Sequence, residues 1–244
     1  QPTLIADLVH KVGGTIVECN TAYGGGRSDT ENHLKAAADH GFTSIADVDI
    51  MDADGEVALP VKGGRHLKED FVGRNYLNYD FTVILSHFKG HAMGGFGGSM
   101  KNIAIGCASG QVGKRQVHGA SMTGAPNFGA MPVKDTFMEL MADSAQAVIN
   151  HFGKHITFIN VLRNMSVDCD CAGTSAQKPT MKNIGILASN DLLAIDQASC
   201  DLVFAAPDGK DVIERIQSRH GLRQLSAMAE KKMGNPQYEL IVVK

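Results

Sequence analysis

The sequence has no tryptophan, few other aromatic residues (6%) and no excess of either charge, with 23 Lys and Arg against 26 Asp and Glu in 244 residues. Proteins that bind nucleic acid or anionic membranes carry basic stretches interleaved with aromatic residues, so the composition predicts neither partner. No run approaches the ~20 apolar residues of a membrane span. The first ten residues also lack the basic and apolar regions of a signal peptide, and we expect a cytoplasmic location.

Cysteine is scarce as well, with five residues at positions 19, 107, 169, 171 and 200. An odd number at this spacing makes a poor disulfide framework for a chain of this length. Free thiols or metal ligands are therefore expected. Cys19 and Cys200 lie in segments of apolar periodicity and are predicted to be small core residues. The cysteines that remain as candidates for chemistry are Cys107, Cys169 and Cys171.

The apolar pattern predicts a single α/β domain over residues 1–244, with a mostly parallel sheet, helices on both of its faces and a small antiparallel excursion. Predicted helices cover residues 2–11, 30–40, 133–152, 192–203, 211–220 and 222–233. Predicted strands cover residues 15–19, 42–47, 81–85, 156–162, 184–188 and 238–243, and the excursion covers 57–61 and 66–71. Strand 81–85 is apolar apart from Thr82 and does not alternate, which is typical of a strand buried on both faces, and strand 156–162 is predicted to be a second buried strand.

Residues 86–118, which follow strand 81–85, combine three histidines, one cysteine and eight glycines. Glycine at this density is tolerated where the backbone must reach a positive φ or approach something closely. A second chemistry-bearing segment, DCDC at residues 168–171, follows strand 156–162. Imidazole and thiolate are the usual ligands of borderline and soft metals. The candidate metal ligands are His87, His91, Cys107, His118, Cys169 and Cys171.

Each candidate also has an ordinary structural explanation, such as a backbone-bonded histidine, a buried cysteine or an acidic loop. The carboxyl ends of parallel strands lie at one edge of a sheet, however, and both segments follow predicted parallel strands. We therefore expect Cys107, Cys169 or Cys171 to share a pocket with His87 or His91. The neighbouring carboxylates of residues 168 and 170 should raise the thiol pKa and make the metal-free protein slow to react with thiol reagents.

A second hypothesis concerns an anion. The stretch 94–101 matches neither G-x-G-x-x-G nor Walker A, but a glycine-rich loop that enters a short helix exposes backbone N–H groups suited to phosphate or carboxylate. Close packing of the loop on the sheet explains these glycines nearly as well. The candidate residues are Lys89, Gly94, Gly95, Gly97, Gly98, Ser99 and Lys101. Further candidate pocket residues, in a loop that is otherwise simply solvated, are Asn20, Tyr23 and Arg27.

Two blocks of the sequence resemble one known family. They are HFKGHxMxGFGGxxKNxxxGCA at residues 87–108, and DCDC at 168–171 followed by IGILASxDxxAIDQASxDLV at 184–203. These motifs resemble the uncharacterised iron–sulfur-centre protein family, which is catalogued as domain of unknown function 362. The resemblance implies an iron–sulfur cluster or a transition metal ion, and electron transfer to a redox partner protein. It implies no substrate.

Two features depart from the family pattern. Relatives carry a ferredoxin-like insert with four-cysteine runs after the segment equivalent to His118, where this chain has a short connector rich in Gly, Ala and Pro. Relatives also have additional strands ahead of the helix at Pro2, so we expect this chain to lack an N-terminal segment that they possess. The usual cluster ligands are therefore absent from this sequence.

Three classes of function stay open at this point. A metal or iron–sulfur redox protein is favoured, an enzyme that binds a small anionic ligand on residues 94–101 is second, and a non-catalytic interaction domain is third. Ser86 and Ser99 have histidines nearby, but no Ser-His-acid order is recognisable. The catalytic residues, if any, are unknown from the sequence.

Overall fold

The computed structural model describes residues 2–123 and 135–243, which form an α/β protein. The helices are α1 (Pro2–Val12), α2 (Thr30–Asp39), α3 (Ser99–Gly106), α4 (Gly113–Val117), α5 (Asp135–Phe152), α6 (Leu192–Ala205), α7 (Lys210–Ser218) and α8 (Arg223–Glu230). The strands are β1 (Ile16–Glu18), β2 (Val48–Ile50), β3 (Glu56–Pro60), β4 (Glu69–Gly73), β5 (Thr82–His87), β6 (Lys89–His91), β7 (Gly95–Gly97), β8 (Ile156–Leu162) and β9 (Gly185–Ser189).

The helices predicted from apolar periodicity are all present within the described residues. Side-chain caps fix the starts of two of them, since Asp29 accepts from the N–H of Asn32 before α2 and Asp191 accepts from the N–H of Ala194 before α6. Residues 124–134, which contain most of the predicted connector and the first two residues of the predicted helix 133–152, lie outside the described residues. α3 is the short helix that the anion hypothesis placed after the glycine-rich loop, although its bounds were not predicted, and α4 was not predicted.

The sheets are mixed rather than mostly parallel, which corrects the predicted architecture. β1 pairs with β2 and β5 with β8 in parallel, whereas β3–β4, β6–β7 and β8–β9 are antiparallel. A parallel β8–β9 pair needs a long crossover connection, usually a helix. Between these strands the described chain forms only a 3₁₀ turn (Asp170–Ser175), so it returns as an antiparallel neighbour.

The largest sheet has the order β5-β8-β9, and one face of its β5 and β8 strands is buried. Burial alternates along β5 and β8, with Ser86, Phe158 and Asn160 among the buried residues. Asn160 and Ser86 meet side chains of α3 and α6, so these two helices cover the buried face. The other face is half-buried in the described part of the chain. The expectation of helices on both faces of this sheet is therefore not met there.

Two predicted strands are wrong. Residues 42–47 contain a 3₁₀ turn (Phe42–Ser44), and the strand begins only at Val48. Residues 238–243 form neither helix nor strand, and Val243 at the end of this segment is 89% exposed. Valine and isoleucine favour a pleated, half-buried surface, but that preference needs a neighbouring strand to pair with, and neither segment has one among the described residues.

α5 occupies the centre of the core, between α3 and α8, and its fully buried side chains include Phe137, Met138 and Met141. The predicted excursion is confirmed as the antiparallel pair β3–β4, which packs against the same helix. Among the helices of residues 2–123 and 135–243, none combines the length and apolar character needed to cross a membrane. The domain count stays a prediction.

A buried carboxyl group links β4 to α5. Asp70 is fully buried, and its Oδ2 lies 3.0 Å from Ser144 Oγ, which also lies 3.1 Å from the carbonyl oxygen of Ala104. The single hydroxyl proton cannot serve both acceptors, whereas a protonated Asp70 can donate to Ser144 while Ser144 donates to the carbonyl. Burial accordingly raises the pKa of Asp70 to about 7.

Asp70→Asn should remove a pH dependence from the stability of the fold. The Asn amide can donate to Ser144 as the protonated acid does, but it does not titrate. In the wild-type protein the folded state keeps a proton that the unfolded state releases, so the free energy of unfolding should fall between about pH 4 and pH 7, by at most about 1.4 kcal/mol per pH unit. Urea unfolding of both proteins across this range measures the difference. Parallel curves would contradict a protonated Asp70.

Candidate functional site

Two cysteines lie in the loop that follows β8, at the carboxyl end of the strand. Cys169 precedes the 3₁₀ turn Asp170–Ser175, and Cys171 lies within it. Cys169 is 7% exposed, whereas Cys171 is exposed to solvent. The pair therefore presents one covered and one open sulfur at the end of the largest sheet.

β6 brings a histidine to this loop. The N–H of Gly90 donates to Ser166 O at 2.7 Å, and a Cβ at Gly90 would lie 2.3 Å from Val167 O, so only glycine permits this approach. The approach places the imidazole of His91 in hydrogen-bond contact with the sulfur of Cys169. A histidine and a cysteine from two separate segments thus meet, as the positions of the strand ends predicted.

The hydrogen bonds of His91 determine which ring nitrogen carries its proton. Nδ1 accepts the N–H of Gly94 at 2.8 Å and faces the N–H of Met93 at 3.3 Å. A neutral imidazole whose Nδ1 is an acceptor carries its proton on Nε2, the nitrogen left to face Cys169. Burial lowers the pKa of His91 and keeps the ring neutral. His91 therefore acts on the sulfur as a hydrogen-bond donor.

Cys169 is surrounded by groups that favour its thiolate. The thiol of Cys171 donates to its sulfur, and the backbone N–H of Cys171 lies 3.5 Å from it. These contacts, the hydrogen bond from His91 and the charge of Lys101 outweigh burial and hold the pKa of Cys169 well below its usual range. The hydrogen bond to Cys169 raises the pKa of Cys171 above its ordinary value. The two shifts favour one shared proton, which Cys171 carries while Cys169 is the thiolate.

This protonation corrects the expectation that both thiols would be hard to ionise. The carboxylates expected to repel a thiolate have other partners: Asp168 accepts from the N–H of Gln177 at 3.0 Å and pairs with Arg215 at 3.2 Å, and Asp170 pairs with Lys89 at 2.7 Å. Arg215 and Lys89 therefore neutralise the charges of the two carboxylates. The donors around Cys169 then decide the sign of the shift.

Two further histidines from the predicted ligand set lie at or near the site, but not as open ligands. His87 places Nδ1 2.9 Å from Asp170 and Nε2 2.7 Å from the carbonyl oxygen of Arg163, so both of its ring nitrogens face oxygen acceptors. His118 stacks on Phe137, and its Nδ1 contacts the carbonyl oxygen of Lys114 at 2.6 Å. In this arrangement His87 holds Asp170 in place.

Cys107 lies apart from the other two candidate cysteines. It follows α3 and contacts the hydroxyl of Tyr76, and the thiol of Cys19 donates to its carbonyl oxygen at 3.4 Å. Burial raises the pKa of Cys107 to about 12, so the thiol stays protonated. The structure therefore does not bring Cys107 together with His87 or His91. α3 carries the chain away from the site before it reaches Cys107.

The residues at this site do not fit an iron–sulfur cluster. Within residues 2–123 and 135–243, no group of three or more His, Cys, Asp or Glu side chains is arranged to hold a metal ion. Two sulfurs lie together, whereas a [4Fe–4S] cluster takes four thiolates. The lone pair of His91 Nδ1 is engaged by the backbone of residue 94, so this nitrogen does not add a ligand.

The glycine-rich stretch 94–101 is closed, and its helix N-terminus is filled by a side chain of the same protein. Asp196 on α6 accepts the N–H groups of Ser99 at 2.8 Å and Met100 at 2.9 Å. It also accepts from Asn160 Nδ2 at 2.8 Å. A Cβ at Gly98 would lie 2.4 Å from the carboxylate, which explains the glycine there. The anion that these N–H groups bind is therefore internal, and an external phosphate has no access to them.

The remaining predicted anion-binding residues divide into two groups. Gly94, Gly95 and Gly97 are buried in the β7 hairpin, where Gln224 donates to the carbonyl oxygen of Gly94. Lys101 is the member of the set whose charge acts on the sulfurs, and Lys89 pairs with Asp170, which lies between the two cysteines in the chain. The cations, and not the glycines, belong to the candidate site.

Tyr23, in the loop 20–27, lies near the two sulfurs. Burial raises the pKa of Tyr23, and so do Cys171 and Cys169, which shows that the phenol lies near them. Asn20 instead bonds Asp52 and Thr30, and Arg27 pairs with Glu18 at 3.7 Å. Sequence reasoning missed Asp196 and Arg215, although an acid inside the apolar stretch 192–203 was a visible signal for the first.

The family model described as a domain of unknown function, DUF362, matches residues 1–201. The chain belongs to this family. No curated protein matches the DUF362 chain. The solved apoprotein structure of lactate racemase from Thermoanaerobacterium thermosaccharolyticum is similar to it with a TM-score of 0.45 and 15% identity, over 83% of this chain and 44% of that one. The DUF362 chain thus spans less than half the length of that protein.

The shared proton can be detected by the ultraviolet absorbance of the thiolate, which does not depend on access to the sulfur. Cys171→Ser keeps a hydroxyl donor beside Cys169, so we expect a thiolate that persists well below pH 7. Cys169→Ser removes the acceptor that holds the proton of Cys171, so the thiolate should form only near the ordinary cysteine pKa of about 8.5. Equal titration midpoints in the two variants would contradict the donor arrangement around Cys169.

Proposed function

We propose that Cys169 and Cys171 form a thiol–disulfide redox site. The observation that carries this proposal is the convergence on one sulfur of three hydrogen-bond donors, from His91, the Cys171 backbone and the Cys171 thiol. A thiolate is the nucleophilic form of cysteine, and a second thiol in contact with it can complete a two-electron oxidation. The proposal keeps the redox role implied by the family resemblance and assigns it to the protein's own sulfurs.

The exposures of the two sulfurs suggest the order of the steps. Cys171, the exposed member, attacks a disulfide RS–SR as its proton passes to Cys169; one RS⁻ leaves and takes that proton. The Cys169 thiolate then attacks the Cys171 sulfur, the mixed disulfide breaks, and the second RS⁻ takes a proton from water. The protein has lost two electrons to the reagent, which becomes two thiols. Cys169 acts first as base and then as the resolving nucleophile.

Incubation with a small disulfide tests this proposal. The wild-type protein should lose two titratable thiols, and peptide mapping should place the new disulfide between Cys169 and Cys171. Cys169→Ser should stop at a mixed disulfide on Cys171, because no thiolate is left to resolve it. Cys19→Ser and Cys200→Ser are matched controls that should leave the reaction unchanged, since both residues are buried. A wild-type protein that retains all five thiols would end the proposal.

A second candidate is a soft metal ion held by the same two sulfurs, and the contact between them favours it. Binding would displace the proton that they share, so affinity should rise with pH and binding should release protons. Titration of the reduced protein with Cu(I) or Zn²⁺ against a chromogenic chelator, with pH-stat detection, measures both effects. Unchanged stoichiometry in the Cys169→Ser/Cys171→Ser double variant would exclude this site. The cytoplasmic location and a redox partner protein stay predictions.

A further inference from the structure

Two lysine side chains run side by side at the candidate site. Lys89 on β6 and Lys101 on α3 flank Gly97, where an added Cβ would touch the Cε of the first and the Cδ of the second at 3.6 Å each. The charge of Lys101 acts on those of Lys89, Asp170 and the two cysteines. The site therefore gathers two cations beside one thiolate.

The two lysines differ in their counter-charges. Lys89 pairs with Asp170 at 2.7 Å, and the other nearby acid, Asp168, is paired with Arg215. Lys101 has no hydrogen bond or ion pair with any residue in the ranges 2–123 and 135–243, and it is only partly exposed. The negative charge nearest to its ammonium that is not already paired is the Cys169 thiolate.

Reaction of the sulfurs removes that negative charge. When Cys169 and Cys171 form a disulfide, neither sulfur is charged, and Lys101 is left without a counter-charge in a partly desolvated place. Burial lowers the pKa of Lys101, and the Cys169 thiolate opposes that shift. Without the thiolate, an anion that takes its position is what keeps Lys101 protonated, so carboxylate binding and retention of the proton favour each other. A disulfide reagent that carries a carboxylate supplies this anion as the thiolate is consumed.

We infer that the site selects an anionic thiol compound, a small disulfide that carries a carboxylate, and that Lys101 binds this carboxylate beside the sulfurs. This inference rests on the proposed thiol–disulfide function and names the substrate class for it. Lys101 is the specificity-determining residue, and Lys89 keeps Asp170 neutralised. The exposed sulfur of Cys171 is the point of entry.

Three disulfides of similar size test the selection: dithiodipropionate is anionic, hydroxyethyl disulfide is neutral and cystamine is cationic. Each rate of thiol loss is divided by the rate of the same disulfide with free mercaptoethanol, so that the intrinsic reactivity of the reagent cancels. The normalised rates should fall in the order anionic, neutral, cationic, with steps of about fivefold, as expected for one partly exposed ion pair.

Lys101→Gln should remove this order and leave the neutral disulfide as the fastest or equal reagent. Lys154→Gln is the matched control, because Lys154 is exposed and precedes β8 at the end of the strand opposite to the sulfurs. If Lys101→Gln fails to fold, the salt dependence of the wild-type order decides, since added salt should compress it.

The outcomes separate the two proposals. Loss of no thiols with any of the three disulfides would overturn the redox function and this inference together. Reaction with equal normalised rates, or an unchanged order in Lys101→Gln, would overturn the charge selection while the redox function stands. An equal loss of rate with all three reagents in Lys101→Gln would show that Lys101 acts only on the thiolate, and would also overturn the selection.

Discussion

The buried carboxylate of Asp196 is the interaction on which the rest of the site depends. It joins three elements, because it accepts two backbone N–H groups from the start of α3 and one amide N–H from Asn160 on β8 while it belongs to α6 itself. Burial raises the pKa of Asp196, and these donors oppose the rise. A helix N-terminus stabilises a nearby negative charge. The start of α3 therefore stabilises the carboxylate of Asp196, and the carboxylate in turn accepts N–H groups that the helix itself leaves without a partner.

This arrangement determines where the cationic part of the site can lie. Lys101 follows Ser99 on the first turn of α3, so the contact that anchors the helix start also positions the ammonium. β6, which carries Lys89 and His91, and β7 lead into the same helix. Gly90 allows the chain to pass close to Val167, and Gly98 allows it to pass close to Asp196. The glycine-rich stretch thus serves packing, and packing brings the lysines and the imidazole to the sulfurs.

Much of this could be predicted from the sequence, and the failures have physical causes. The rule that strand ends share one edge of a sheet predicted that a cysteine would meet His87 or His91, and β5 and β8 are indeed parallel neighbours. The structure selects His91 and Cys169 from those alternatives. The same rule failed for Cys107, since it assumes that a loop stays near its strand, and α3 intervenes between His91 and Cys107. The antiparallel β9 could not be read from its apolar run, because strand direction depends on the connection before it.

The direction of the pKa shift of Cys169 is the property of the site that the order of residues in the sequence predicted wrongly. The sequence places Asp168 and Asp170 on either side of Cys169, and proximity along the chain predicts repulsion of a thiolate. In the folded protein the neighbours that count are those in space: Arg215 from α7 and Lys89 from β6 pair with the two acids. The donors around the sulfur then decide the sign of the pKa shift. Electrostatic shifts fall steeply with distance and depend on burial, so they follow the tertiary contacts, and the order of residues in a loop does not determine them.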